Sequence, residues 1–124
     1  MKARKSRTFF HSLNHAYTGI RATAAREKNF RRHIFVAILA VILCIVFRVE
    51  PWKFALVAFA IFFVLATELF NTAIESIVDL VCGDKRHPLA KIAKDASAGA
   101  VLLAAIFSLV VGAIVAFEIL GRYL

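Results

Sequence analysis

Four polar residues interrupt an otherwise apolar stretch of this chain: Glu68, Asn71, Glu75 and Asp79. At about 100° per residue all four fall within about 60° of Glu68, on one face of one helix. Ionisable groups at membrane depth are costly and mark function by default, so such a stripe asks for a cation, a proton relay or a cationic partner. The plainer account is that these groups cap and pair with Lys and Arg of neighbouring helices; it weighs most for Asp79, the one closest to water. Farther along, Lys91, Lys94 and Asp95 cluster just before another apolar run. Lys91 reads as an anchor at the lipid headgroups. Lys94 and Asp95, at the same depth as the acids, could build a metal and phosphate site, since carboxylates bind Mg²⁺ with its waters and substrate phosphates while lysine neutralises charge. Composition alone does not separate that from ion transport.

Other chemistries are excluded by what is missing. There is neither a G-x-x-x-x-G-K-[ST] nor a G-x-G-x-x-G pattern, and Gly19, Gly83, Gly99, Gly112 and Gly121 are too dispersed to cradle phosphate, so a P-loop or protein-kinase fold is not available. Cys44 and Cys82 lie far apart, without CxxC or Cys/His spacing, and read as small apolar packing residues.

The elements that must position these residues are membrane helices. Three uncharged apolar stretches stand out, Ile34 to Phe47, Phe54 to Thr67 and Ala96 to Phe117. The last would span about 33 Å, matching a hydrocarbon core of about 30 Å. The first is short and spans if Arg32 and Arg48 reach toward the two interfaces, with Pro51 turning the chain and Trp52 anchoring it. The second continues in helical period to Cys82, roughly 43 Å as one helix from residue 54, so its acidic end should reach the headgroups. Gly83 is a candidate helix stop, and His87-Pro88 a restart for a helix running through Leu89 to Asp95 into the third span. Gly99 and Gly112, with Ala98, Ala100, Ala104 and Ala105, suggest close helix packing. Ahead of the spans, Phe9, Phe10, Leu13, Tyr17, Ile20 and Ala24 recur every three to four residues among Arg7, His11, Asn14 and Arg21, the pattern of an amphipathic helix lying on the membrane. The organisation expected is thus an all-α membrane protein: a basic interfacial helix over residues 1–33, then a three-span domain over 34–124 with spans near 34–50, 54–76 and 96–117.

Composition agrees. Of 124 residues, 61% are hydrophobic and 19% charged, and the mean hydropathy is +0.78. That is more apolar surface than one small soluble domain can bury, which sets aside a soluble globular enzyme. The formal charge of +8 could signal nucleic acid, but residues 1–33 hold nine bases against the single acid Glu27 and carry the whole excess. The charge therefore belongs to a leader at a membrane surface and not to a nucleic-acid-reading face. A cleavable signal peptide fits poorly, because the first apolar run begins only at Ile34 and no small-residue cleavage pattern follows, so the leader is expected on the mature protein. Counting bases by side places the N-terminus, the 83–88 loop and Lys91 and Lys94 in the cytoplasm, with Arg48, Lys53 and Arg122 opposite.

The segment Glu68-Leu-Phe-Asn71-Thr-Ala-Ile-Glu75-Ser-Ile-Val-Asp79, with His87-Pro-Leu-Ala-Lys91-Ile-Ala-Lys94-Asp95-Ala-Ser-Ala-Gly, resembles the small prokaryotic integral-membrane diacylglycerol kinase and undecaprenol kinase family. The leader's Tyr17-Thr-Gly19-Ile-Arg21 and Arg26-Glu27-Lys-Asn-Phe30-Arg31 are similar to that family's surface helix, so the likeness runs from about Arg7 onward. It implies ATP- and Mg²⁺-dependent phosphoryl transfer to a lipid hydroxyl in the bacterial inner membrane, by a homotrimer with active sites shared between protomers. By position, Glu68 matches the catalytic base, and Glu27 and Glu75 the Mg²⁺-holding carboxylates at the nucleotide. Asn71 matches a further polar position, Lys94 lies near the phosphates and Asp95 near the nucleotide, and Lys85, Arg86 and His87 fall in a loop contacting ATP. Arg21, Phe30, Arg31, Glu68 and Ala98 match the lipid-substrate side. Glu27 and Glu75 are expected to meet at the cytoplasmic interface, with the leader as lid and lipid gate. The Asn71-Thr-Ala-Ile and His87-Pro-Leu-Ala-Lys wording resembles the undecaprenol kinase branch more than the enterobacterial-type diacylglycerol kinases, which makes undecaprenol the expected substrate and diacylglycerol the alternative. The loop from Cys82 to Arg86 is more charged than that branch's. Two readings from other classes compete: a small cation- or proton-coupled transporter, which needs an acid at the membrane midplane, and a non-catalytic assembly subunit, whose acids would merely pair with bases.

Overall fold

The computed structural model describes residues 8–124 as four helices: α1 (Phe9–Arg26), α2 (Lys28–Val46), α3 (Pro51–Cys82) and α4 (Pro88–Tyr123). The leader's Lys2, Arg4, Lys5 and Arg7 lie outside the described residues. Helices α2, α3 and α4 are each long and apolar enough to cross a membrane. The 32 residues of α3 and 36 of α4 make rods of about 48 and 54 Å. Both outreach a hydrocarbon core, so the polar ends of both helices can stand at the membrane surface.

The break between α1 and α2 falls inside the segment that the sequence suggested as one leader helix. Glu27 is extended (φ −102, ψ 114), and no Gly or Pro marks the spot. Instead Arg31 reaches back, its Nη1 donating to the carbonyls of Ala24 at 2.8 Å and Ala25 at 3.0 Å. A cation on the unpaired carbonyls at the end of α1 satisfies them and complements the helix dipole. The first spanning helix thus begins at Lys28, not Ile34, and stops at Val46, short of the expected residue 50. Phe30, expected on the lipid-substrate side, is 1% exposed and packs the corner where α1 turns into α2.

Helix α2 ends in a Schellman motif, with Arg48 N donating to Ile45 O and Val49 N to Cys44 O. Arg48 occupies the left-handed region (φ 49), an uncommon place for a non-glycine residue. Pro51 then sits in the first turn of α3, where its missing N–H costs nothing. Helix α3 ends where expected, at Gly83, whose φ of 54 with ψ of −128 is open to glycine alone. Helix α4 restarts at Pro88 with His87 as N-cap, its Nδ1 accepting from Leu89 N at 3.1 Å.

α3 and α4 pair along their lengths and α2 packs on α3. The shared core is Cys44 from α2, Val57 and Ala60 from α3, and Val111 and Val115 from α4. On α4 the buried line is Ser97, Ala104, Val111 and Val115, close to a heptad seam. Ala104 is fully buried, in keeping with close helix approach, but Gly99 and Gly112 face open space within the chain and Ala98 and Ala100 are exposed. At the far end from Glu68, Glu118 accepts from Lys53 and from Arg122 (2.8 Å), and Arg122 also donates to Phe47 O at 3.2 Å. These contacts tie the ends of α2, α3 and α4 together, beside an exposed Trp52.

Candidate functional site

The polar face of α3 meets a different partner at each level. Deepest is Glu68, 6% exposed, with His33 Nε2 of α2 lying 3.2 Å from its Oε1. One turn on, Asn71 bridges two helices: its Nδ2 donates to Glu75 Oε1 at 3.3 Å and its Oδ1 accepts from Ser97 Oγ of α4 at 2.7 Å. At the outer level Asp79 accepts from Lys94 Nζ of α4 at 2.6 Å. That hydrogen bond holds the Lys94 ammonium, which precedes the apolar stretch of α4, above the ordinary lysine value, against a smaller desolvation effect.

Beyond Asp79 the α3–α4 turn and the first turns of α4 surround a cleft of about 860 Å³ lined by Asp79, Lys85, Arg86, His87, Lys91, Lys94 and Asp95. The residues expected at the nucleotide on this loop and helix therefore share one opening of mixed charge, with Asp84 also in its lining, next to the carboxylate face of α3. A polyphosphate suits such an opening, because the ammonium and guanidinium groups can gather around its oxygens.

The structure supplies pairings that the sequence reading left open. Lys94 binds Asp79, in line with the plainer account of Asp79 as a partner of a neighbouring helix's base, and Asp95 binds Lys91, one turn away on α4. Consecutive residues point about 100° apart on a helix, whereas residues four apart stack on one face. Lys91 is thereby an ion-pair partner as well as an exposed base. His87 lends its Nδ1 to the cap of α4 while lining the cleft. Glu27 is half-buried at the corner after α1 and pairs within the chain with Arg26, 3.5 Å away. Arg31 braces that corner, and Arg21 and Ala98 are exposed.

Glu75 uses one oxygen for Asn71 and keeps the other, while Glu27 at the α1–α2 corner pairs with Arg26; carboxylates of this kind are the donors Mg²⁺ takes, one or two at a time, with phosphates and water completing its shell. Among the described residues no three or more His, Cys, Asp or Glu side chains cluster into a complete protein-made metal site.

Two residues of the site escaped sequence reasoning. In the sequence His33 stands at the boundary between the basic leader and the first apolar run, and Ser97 within an Ala-rich run. The first could have been found by asking which polar side chain on the first span reaches the depth of Glu68; for the second the sequence holds no signal.

Comparison with known proteins places this geometry. The model of the prokaryotic diacylglycerol kinase family matches residues 14–116. The chain is 46% identical over 112 residues to the undecaprenol kinase of Bacillus subtilis, covering 86% of each chain. It is 43% identical over 101 residues to a diacylglycerol kinase of Synechocystis, covering 82% of this chain and 58% of that longer relative. Against the diacylglycerol kinase of Escherichia coli K12 it is 30% identical over 110 residues, 89% of each chain. A family match over most of the chain, together with relatives aligned over nearly its whole length, shows that this chain belongs to the prokaryotic diacylglycerol kinase family.

Proposed function

We propose that this chain is an integral-membrane lipid kinase that transfers the γ-phosphate of ATP to the hydroxyl of a membrane lipid alcohol, with undecaprenol as the preferred substrate. The observation that carries the reading is the layered face of α3: a buried carboxylate, Glu68, followed toward the helix end by Asn71–Glu75–Ser97 and then by the charged cleft at Asp79 and Lys94. A lipid hydroxyl can reach the first and a soluble nucleotide the last. The 46% identity to a relative named undecaprenol kinase favours the polyprenol over diacylglycerol.

In this reading Glu68 accepts the proton of the lipid hydroxyl as its oxygen bonds to the γ-phosphorus. The bond from that phosphorus to the β,γ-bridging oxygen breaks, leaving ADP and a lipid phosphate. Lys94 and the Lys85–Arg86 loop hold phosphate oxygens, and Asp95 and His87 face the nucleotide. Phosphoryl transfer is mostly positioning and charge stabilisation, so this kit suffices. Glu75 and Glu27 would hold a Mg²⁺, whose chemistry is to neutralise charge on the phosphates. Arg21, Phe30, Arg31 and Ala98 are proposed for the lipid side; Phe30 and Arg31 would act by shaping the α1–α2 corner. The N-terminus and cleft are assigned to the cytoplasm, where ATP is found, and the active unit to a homotrimer with shared sites, which would supply neighbours for the exposed apolar faces.

The test is an assay with Mg-ATP in which undecaprenol and diacylglycerol compete in the same micelles. Preferential formation of undecaprenyl phosphate is expected. A strong preference for diacylglycerol would overturn the substrate assignment, and phosphate transfer to neither would overturn the kinase reading.

A further inference from the structure

Glu68 is buried, and a buried carboxylate needs a polar partner at its own depth to fix its position. Glu68 meets no Lys or Arg among the described residues. Among the described residues the cation-capable group paired with it is His33, whose Nε2 stands 3.2 Å from Oε1. The two side chains differ in exposure, 32% for His33 and 7% for Glu68, so the imidazole is the more open of the pair. His33 also lines the apolar groove between α2, α3 and α4, of about 530 Å³, with Val64 and Leu65 of α3. It therefore sits where that apolar groove meets Glu68. Two features fix the ring there: the first turns of α2 are set by the Arg31 brace on α1, and Phe30 is buried in the same corner.

We propose that His33 is a positioning residue for Glu68: its Nε2, 3.2 Å from Oε1, holds the carboxylate in place with one oxygen aimed at the lipid hydroxyl. Either charge state of the ring serves, since both can carry a proton on Nε2. Of the other charged groups on the packed elements, Glu75 bonds Asn71, Asp79 bonds Lys94, Glu27 pairs with Arg26, Arg31 caps the α1 carbonyls and Arg32 bonds Asn29. None of them replaces His33.

The inference rests on Glu68 being the base, and the test separates the two. Turnover of undecaprenol with Mg-ATP is measured for wild type, His33→Ala, His33→Gln, His33→Leu and Glu68→Gln. Misplacing a reacting group by about 1 Å can cost about a hundredfold in rate, so His33→Ala should lower kcat by between about tenfold and a hundredfold. Both KM values should stay within about twofold of wild type, since no uniform binding contact is lost. His33→Gln, whose amide N–H reaches the place of Nε2, should recover most of the lost kcat. If His33→Ala fails to fold, His33→Leu, which fills the volume without a donor, makes the same comparison with His33→Gln. Wild-type kcat in His33→Ala or His33→Leu, no recovery in His33→Gln, or a loss confined to the KM for lipid would overturn the inference while leaving an inactive Glu68→Gln consistent with the base. A Glu68→Gln enzyme that still turned over would overturn the base assignment and the inference with it.

Discussion

Replacing Ser97 by alanine tests whether the bridge from α4 through Asn71 to Glu75 sets the nucleotide site. Ser97 is 7% exposed and donates to Asn71 Oδ1 at 2.7 Å, while its oxygen also lies 2.9 Å from Lys94 O. The Lys94 carbonyl can be served by the helix, so the loss falls on Asn71. A buried carbonyl left without a donor costs about 1–3 kcal/mol, and because Asn71 is only half-buried the lower end, about 1 kcal/mol, applies. If that loosens the amide that holds Glu75 Oε1, the Mg-ATP KM should rise by about fivefold, the equivalent of about 1 kcal/mol. The lipid KM should not move, since Ser97 and Asn71 lie a turn or more outward of Glu68. Steady-state kinetics with each substrate varied, repeated for Asn71→Ala and the double variant, reads this directly. In the cycle the double variant should be little worse than Asn71→Ala alone. An unchanged Mg-ATP KM in Ser97→Ala, or losses that add in full, would refute the bridge.

Two further outcomes follow from the same geometry. Glu75→Gln should weaken Mg-ATP binding itself, measured as nucleotide affinity in the absence of lipid; unchanged affinity would count against its place beside the metal. Glu118→Ala should lower the melting temperature, because Lys53, whose side chain is 13% exposed, keeps only Glu50 at 3.7 Å. Its kcat should stay within about twofold of wild type, since Lys53 and Glu68 are about 22 Å apart along α3; a large loss of kcat with unchanged melting would contradict that division.

The sequence was most legible where one helix's own period carries the information. The face of α3 from Glu68 to Asp79, the stop at Gly83 and the restart at Pro88 all follow from local rules, because each depends on residues within a turn or two. What depends on a second helix was not legible. Nothing near Glu27 marks the end of α1, since the break is held by Arg31 folding back on Ala24 and Ala25. That break is also what puts His33 on α2 and beside Glu68, so missing the one meant missing the other. Lys94 could not be assigned to Asp79 rather than Asp95 without knowing how α3 and α4 align. Gly99 and Gly112 look like packing positions by type, yet the seam of α4 runs through Ser97, Ala104, Val111 and Val115. Only the partner surface decides which side of an Ala- and Gly-rich helix is buried. Glu68 stands near the middle of α3, whereas Glu75 and Asp79 lie toward its Gly83 end beside the cleft, so the polar face runs from mid-helix to the α3–α4 turn.

The most direct test of the account is Glu68→Gln, assayed for both nucleotide binding and phosphate transfer to undecaprenol. A general base typically contributes about a hundredfold to ten-thousandfold in rate, so turnover should fall at least that far while Mg-ATP still binds at wild-type affinity. Turnover near wild type would contradict the central claim that Glu68 takes the lipid proton, and loss of nucleotide binding together with turnover would make Glu68 a ligand of the metal instead.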